Sequence, residues 1–154
     1  MAGGLSTAKD VGLTHVALLI RDPEASLAFY ARYAAMEPVH QRRDASSGRQ
    51  VLWLSDRTRP FVVVLIEAEQ VEGRLEGFAH LGVGCESRAE VDRLCEVARA
   101  EGCLKLGPVD SGAPVGYWAF IEDPDGHNLE ISYGQEVGLT VEGARSVAAA
   151  ASDP

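Results

Sequence analysis

The stretch EDPDGHNLEIS, Glu122–Ser132, predicts a tight turn followed by a β-strand. Proline presets φ, glycine accepts a positive φ, and aspartate side chains bond to nearby backbone, so Asp-Pro-Asp-Gly is a turn sequence. After the turn, Leu129 and Ile131 alternate with polar residues, which is typical of a half-buried strand. Glu130 lies in the middle of this strand, where a glutamate has low propensity and is costly to bury. The strand therefore raises the question of which group Glu130 faces.

Composition and charge restrict the class of protein. The 154 residues are 46% apolar and 24% charged, which is typical of one ordinary globular domain. Fourteen basic and 23 acidic residues give a net charge of −9. This charge argues against a nucleic-acid partner because phosphate contacts need a basic surface, and it also disfavours docking on anionic membranes.

The cysteines and the N-terminal sequence favour a cytoplasmic protein. No apolar run reaches transmembrane length, and MAGGLSTAKDVG lacks the apolar core of a signal peptide. The cysteines Cys85, Cys95 and Cys103 are odd in number and show no C-x-x-C spacing. We therefore expect neither a disulfide framework nor a thiolate zinc site.

The two halves of the chain repeat the same order of elements. The first half opens with an apolar strand bearing His15, followed by a helix that Asp22 caps. About 65 residues later a strand bearing His80 precedes a helix with a capping box at Ser87 and Glu90. Each half then continues as strand, Asp-led turn and strand, as in QVLWLSDRTRPFVVVLI and GYWAFIEDPDGHNLEIS.

This repeat predicts an α+β fold of two tandem βαβββ modules whose sheets curve round a shared cleft. The first hairpin strands are expected near Val39–Arg43 and Leu104–Val109. The predicted organisation is a single domain over 13–134, with modules at about 13–70 and 78–134. Residues 1–12 and the Ala-rich 135–154 are predicted to be loosely packed tails.

Overlaying the modules suggests what Glu130 faces. The overlay pairs His15 with His80, and it pairs Glu130 with Val63 or Val64. A lone strand histidine is more often a core residue than a ligand, but a pseudo-twofold arrangement would bring both histidines and Glu130 together. Two imidazoles and one carboxylate are the ligands of a facial triad that holds a divalent ion with open positions. The pattern therefore predicts a metal site.

The motifs THVALLIRD, AHLGVGC and DPDGHNLEI resemble the vicinal oxygen chelate superfamily over Leu13–Tyr133. That superfamily includes glyoxalase I, extradiol dioxygenases, fosfomycin-thiol transferases and bleomycin-resistance proteins. The resemblance implies that His15, His80 and Glu130 bind one divalent ion, either Fe(II), Mn, Ni or Zn. It also implies a small-molecule substrate that chelates the ion through adjacent oxygens, catalytic participation of Glu130, and a homodimer.

Departures from each subfamily limit what this resemblance implies. Glyoxalase I supplies a fourth ligand from the strand that matches FVVVLIE of this chain, and that position falls here on Val63 or Val64. Strand parity turns Glu67 away from the Val64 face. Extradiol dioxygenases carry a histidine upstream of the turn, which is absent here. Dioxygen chemistry would then lack its usual acid or base, and Tyr117 or His40 is the predicted substitute for it.

Two further subfamilies remain as alternatives. A fosfomycin-thiol transferase needs basic residues for a phosphonate, and these would come from the first module, where we interpret the arginines as a solvated hairpin: Arg42, Arg43, Arg49, Arg57 and Arg59. A bleomycin-resistance protein binds a cationic drug without a metal. His127 is expected at the surface. The sequence thus predicts a divalent-metal-dependent glyoxalase- or dioxygenase-like enzyme, with these two alternatives open.

Overall fold

The computed structural model describes residues 10–151 and confirms the α+β class and the two tandem βαβββ modules. The chain divides into two compact units at the junction between Arg74 and Leu75. The elements are β1 His15–Ile20, α1 Pro23–Ala34, β2 Glu37–Arg43, β3 Gln50–Ser55, β4 Val62–Glu67, β5 Leu81–Gly84, α2 Arg88–Glu101, β6 Leu104–Asp110, β7 Tyr117–Glu122, β8 Asn128–Tyr133 and α3 Val137–Ala151.

The first unit is a four-stranded sheet in the order β1-β4-β3-β2, packed on α1. β1 and β4 pair in parallel, with His15 opposite Val62, whereas the other pairs are antiparallel. The parallel pair needs a long crossover, and α1 is part of it. Asp22 begins α1 because its Oδ1 accepts from the backbone N–H groups of Glu24 and Ala25 at 3.0 and 3.2 Å.

Strand alternation gives this sheet two different faces. The face that carries Leu18, Ile20, Val63 and Leu65 is buried and forms the core together with the aromatic residues of α1. The opposite face carries His15 and is partly exposed. Any ligand of the first unit is therefore expected on the His15 face of the sheet.

The second unit repeats this arrangement as β5-β8-β7-β6. β5 and β8 pair in parallel, with Gly82 opposite Glu130, and α2 is part of the connection between them. Ser87 Oγ accepts from the N–H of Glu90 at 3.1 Å, and Gly102 ends α2 in the left-handed conformation. The Ser87 cap is the one expected from the sequence, but the Glu90 carboxylate bonds to Arg93 and does not complete the capping box.

The structure differs from one expectation at the sequence level. His127 was expected at the surface, but it is 1% exposed because it lies beneath the segment that leads into β5. The C-terminal segment 135–154, predicted to be a loosely packed tail, contains helix α3, none of whose residues is buried. Its run of alanines has high intrinsic helix propensity, and this accounts for a helix without burial. In the described residues, no helix is long and apolar enough to cross a membrane.

We predict that Gly116→Ala destabilises the second unit more than Gly112→Ala does. Both glycines have positive φ, at 82° and 69°, which costs a non-glycine residue about 1–2 kcal/mol. A Cβ at Gly116 would also lie 2.5 Å from the carbonyl oxygen of Tyr133, whereas one at Gly112 would meet nothing within 4 Å. Overpacking adds to the strain, so we expect a loss of about 3 kcal/mol for Gly116→Ala and about 1 kcal/mol for Gly112→Ala. Urea unfolding followed by circular dichroism measures both, and equal losses would contradict the prediction.

Candidate functional site

His80 and Glu130 face each other on the side of the second sheet that is turned away from α2. Glu130 Oε2 lies 3.4 Å from His80 Nε2, and the Glu130 side chain is 9% exposed. The parallel register explains the proximity. Gly82 pairs with Glu130, and His80 precedes Gly82 by two residues, so it lies on the same face.

A second contact of His80 determines which ring nitrogen carries the proton. His80 Nδ1 lies 2.6 Å from the carbonyl oxygen of Phe78. A carbonyl oxygen only accepts, so Nδ1 is the donor, and in the neutral ring Nε2 keeps its lone pair. In that form the lone pair faces a carboxylate oxygen, and either a proton on Nε2 or a metal ion between the two atoms makes the contact favourable. A histidine fixed through its other nitrogen is also the usual arrangement of a metal ligand.

The distance between His80 Nε2 and Glu130 Oε2 can be compared with the separation of two ligands of one metal ion. A charge-assisted hydrogen bond between nitrogen and a carboxylate is about 2.7–2.9 Å long, shorter than the observed 3.4 Å. Two donors each about 2.1 Å from one ion are roughly 3.0 Å apart at a right angle and roughly 3.4 Å apart in a tetrahedron. His80 and Glu130 therefore fit two ligands of one divalent ion.

Asn128 and His127 hold the segment that leads into His80. The fully buried Asn128 donates from Nδ2 to the carbonyl oxygens of Gly77 and Ala79 at 2.9 and 3.2 Å. His127 Nδ1 accepts from the N–H of Leu75 at 3.1 Å, and the Leu75 carbonyl accepts from the N–H of Asn128 at 2.7 Å. Thus the strand that carries Glu130 also fixes the backbone before His80.

Gln135 holds the other oxygen of Glu130. Its Nε2 donates to Glu130 Oε1 at 2.7 Å, and Gly134, with φ of 79°, turns the chain back toward the sheet after β8. The carboxylate therefore has one oxygen fixed by an amide and the other facing His80. This orients Glu130 without adding a charge.

An aromatic wall borders the pair. The Phe120 ring lies 4.9 Å from the His80 ring and 5.0 Å from the Trp118 ring, measured between centroids. Phe120 pairs with Glu130 across β7 and β8, and both side chains lie on the same face. Such a wall excludes water from one side of the His80–Glu130 pair.

His15 lies in the first unit and lines a cavity on the exposed face of its sheet. Its Nδ1 is 2.9 Å from Thr14 Oγ1, and Nε2 is not used in that contact. The register of β1 on β4 pairs Ala17, two residues after His15, with Val64. The second unit pairs Gly82, two residues after His80, with Glu130. Val64 is therefore the repeat equivalent of Glu130, and the choice between Val63 and Val64 is resolved.

Glu67 has a role of its own in the first unit. Its Oε2 accepts from the backbone N–H of Gln50 at 2.7 Å, at the start of β3. Val64 lines the cavity with His15, whereas Glu67 alternates to the other side of β4. Glu67 thus fixes the edge of a hairpin.

The structure does not bring Tyr117 to the His80–Glu130 pair. Tyr117 lies on the α2 side of β7, opposite in parity to Trp118 and Phe120. Its hydroxyl donates to Asp92 Oδ1, and this hydrogen bond raises the pKa of Tyr117. Arg88 stacks on its ring at 3.9 Å. These contacts give Tyr117 a structural place between α2 and β7.

Two of the three predicted ligands, His80 and Glu130, lie in the second unit and contact each other. Among residues 10–151, no group of three His, Cys, Asp or Glu side chains lies close enough to hold a metal ion. The contact between His80 and Glu130 is observed, and the participation of His15 stays a prediction.

Sequence reasoning missed Gln135 and the role of Asn128. Gln135 fell within the predicted tail, and Asn128 was assigned only to the polar face of a strand. Gly134 directly after the strand was the available signal for a turn back to the sheet. The contacts of Asn128 join residues about 50 positions apart, and no local sequence pattern indicates such contacts.

Comparison with known proteins agrees with this architecture. The model of the Glyoxalase/Bleomycin resistance protein/Dioxygenase superfamily matches residues 12–131. An uncharacterized protein of Pseudomonas aeruginosa is 36% identical over 129 residues, which cover 82% of this chain and 91% of the relative. A lactoylglutathione lyase of Salmonella typhimurium is 26% identical over 133 residues, covering 82% of this chain and 95% of the lyase.

A solved structure extends the comparison to the fold. A fosfomycin resistance protein from Listeria monocytogenes, in complex with Mn(II) and 1S,2S-dihydroxypropylphosphonic acid, superposes with a TM-score of 0.64 at 19% identity. The match covers 86% of this chain and 99% of that protein. The family model spans most of the chain, and the superfamily resemblance seen in the sequence is confirmed. The chain belongs to the glyoxalase/bleomycin resistance protein/dioxygenase superfamily.

Proposed function

We propose that this protein is a divalent-metal-dependent enzyme whose small substrate chelates the ion through two adjacent oxygens. The observation that carries the proposal is the contact between His80 Nε2 and Glu130 Oε2 at 3.4 Å, a separation that suits two ligands of one ion. His80 and Glu130 supply two ligands, and His15 supplies the third. Fe(II), Mn, Ni and Zn all accept imidazole and carboxylate ligands.

The residues around the site orient the ligands and exclude water. Gln135 fixes one oxygen of Glu130, and the Phe78 carbonyl fixes the His80 tautomer. Phe120 and Trp118 shield one side of the pair. A bound divalent ion supplies Lewis-acid stabilisation of an enolate or a similar anion of the substrate.

The proposed chemistry is glyoxalase- or dioxygenase-like. An ordinary glyoxalase I site has a fourth acidic or amide ligand, but the repeat equivalent of Glu130 is the aliphatic Val64. Three protein ligands leave positions open for substrate and, in a dioxygenase, for oxygen. Tyr117 carries no catalytic role in this proposal because its hydroxyl is engaged by Asp92 on the α2 side of the sheet.

Two arginines favour the transferase alternative over the drug-binding alternative. Arg42 and Arg59 line the same cavity as His15. A fosfomycin-thiol-transferase-like enzyme needs such cations to bind an anionic substrate. A cationic drug of the bleomycin type would be repelled by them, so a metal-free drug-binding protein is the weaker alternative.

We predict that His15→Ala, His80→Ala and Glu130→Ala each lower the bound metal of protein purified without added ions. Loss of one of three ligands leaves a poor site, so affinity should fall at least tenfold, as measured by elemental analysis and by competition with a chelator. His40→Ala is the matched control, because His40 is a histidine that contacts the Trp53 ring instead of Glu130. Full metal content in His80→Ala would overturn the proposal.

Gln135→Ala is expected to weaken the metal site without removing a ligand. The substitution frees Glu130 Oε1, and loss of an outer-shell hydrogen bond typically costs about 10–100-fold in metal affinity. Glu136→Gln is the control, since it changes the adjacent residue, whose backbone N–H bonds to the Pro114 carbonyl. Chelator competition with Mn(II) compares the two variants. Equal affinities would show that Gln135 does not support Glu130.

A homodimer is expected in solution. Each unit ends in open strands, β1 and β2 in the first sheet and β5 and β6 in the second, and open edges invite pairing with another chain. All residues of β2 are exposed. Light scattering at micromolar concentration should give twice the mass of the chain. A strictly monomeric mass would contradict this expectation.

A further inference from the structure

The cavity of the first unit has the size of a small-molecule site. Its volume is about 620 Å³, within the usual range of about 300–1,000 Å³ for ligand pockets. Its apolar wall is formed by Val39, Trp53, Phe61, Val62, Val64 and Ile66. Trp53 and Val39 remain 41% and 44% exposed, so a ligand would cover apolar surface that the protein leaves open.

The charged groups of the lining favour an anion. Among the described residues, the guanidinium groups of Arg42 and Arg59 line the cavity, and Asp10 is the one carboxylate in the lining. On a chain with a net charge of −9, this is a local excess of positive charge. An acid group on a ligand would therefore be attracted to the cavity.

Arg42 lacks the carboxylate partner that Arg49 and Arg57 have. Arg49 pairs with Glu69 and Arg57 pairs with Glu37, both at 3.1 Å. Arg43, the next residue on β2, donates to the carbonyl oxygen of Gly48 at 2.9 Å. Within residues 10–151, no carboxylate forms an ion pair with Arg42.

Arg59 is less available than Arg42. It donates from Nε to Thr58 Oγ1 at 3.4 Å, and its charge contributes to the lowered pKa of Asp56. The Arg59 guanidinium therefore already has one hydrogen-bond partner in the neighbouring residue Thr58. Arg42 is the stronger candidate for an external anion.

The strand register separates the two ends of the cavity. His15 pairs with Val62 at the start of β4. Arg42 pairs with Val51, and Val51 in turn pairs with Ile66 of β4. Four residues along β4 correspond to roughly 13 Å at about 3.3 Å per residue. The Arg42 end is therefore remote from the His15 end, and the apolar wall lies between them.

We infer that the substrate is an elongated organic acid whose acid group binds Arg42 and whose adjacent oxygens lie at the His15 end. Only one part of this inference rests on the proposed function, namely that the adjacent oxygens bind at the His15 end. The Arg42 contact, the apolar body on Trp53 and the length of the ligand follow from the cavity itself. Carboxylate and phosphonate groups share the required chemistry, because both accept paired hydrogen bonds from a guanidinium.

The test uses 5-(3,4-dihydroxyphenyl)pentanoate, which carries adjacent oxygens at one end and a carboxylate at the other, together with its neutral amide. Calorimetric titration of the full chain, under anaerobic conditions and after chelator treatment, measures the binding of each. The acid should bind about tenfold more tightly than the amide, and Arg42→Gln should remove most of that preference. Arg43→Gln is the matched control, because it removes the same charge from the adjacent position of β2.

The outcomes separate this inference from the proposed function. Equal binding of acid and amide, no binding of the acid at millimolar concentration, or equal effects of Arg42→Gln and Arg43→Gln would each overturn it. A repeat titration with Mn(II) tests the metal. If the Arg42 preference persists and Mn(II) adds no affinity, the acid subsite stands and the metal proposal fails. A phosphonate analogue that binds more tightly than the carboxylate through Arg42 would identify the head group within the same class.

Discussion

The parallel pairing of the first and last strands in each unit is the constraint on which the candidate site depends. A parallel pair has a fixed register and is closed by a long crossover, which here runs through a helix and a hairpin. In the second unit this register brings Glu130 beside Gly82 and, two residues earlier, His80 onto the same face. In the first unit the same register places Val64 where Glu130 lies in its repeat. One pairing rule thus produces an acidic site in one unit and an apolar cavity in the other.

Much of this arrangement could be predicted because its signals are local. The Asp-Pro-Asp-Gly turn, the Asp22 and Ser87 caps and the alternation around Glu130 depend on residues a few positions apart. The repeat then supplied the long-range pairing, since two copies of one order of elements fold in the same way. For this reason the α+β class and the superfamily could be predicted from the sequence.

The parts that escaped prediction depend on contacts between distant residues or on the orientation of single side chains. His127 is buried because it bonds to Leu75, 52 positions earlier, and a histidine after a turn gives no sign of this. Tyr117 belongs to the α2 side because of strand parity, since it alternates with Trp118 and Phe120. Arg42 and Arg43 look alike in the sequence, yet one lines the cavity and the other bonds to Gly48.

The attachment of the segment before His80 to β8 has a thermodynamic consequence. The contacts of Asn128 and His127 with Leu75, Gly77 and Ala79 make the lead-in and the strand one cooperative unit. Opening of this segment would separate His80 from Glu130, and any cation held between them would oppose that opening by mass action. Binding energy at the site is thereby coupled to the order of a backbone segment that itself contributes no ligand.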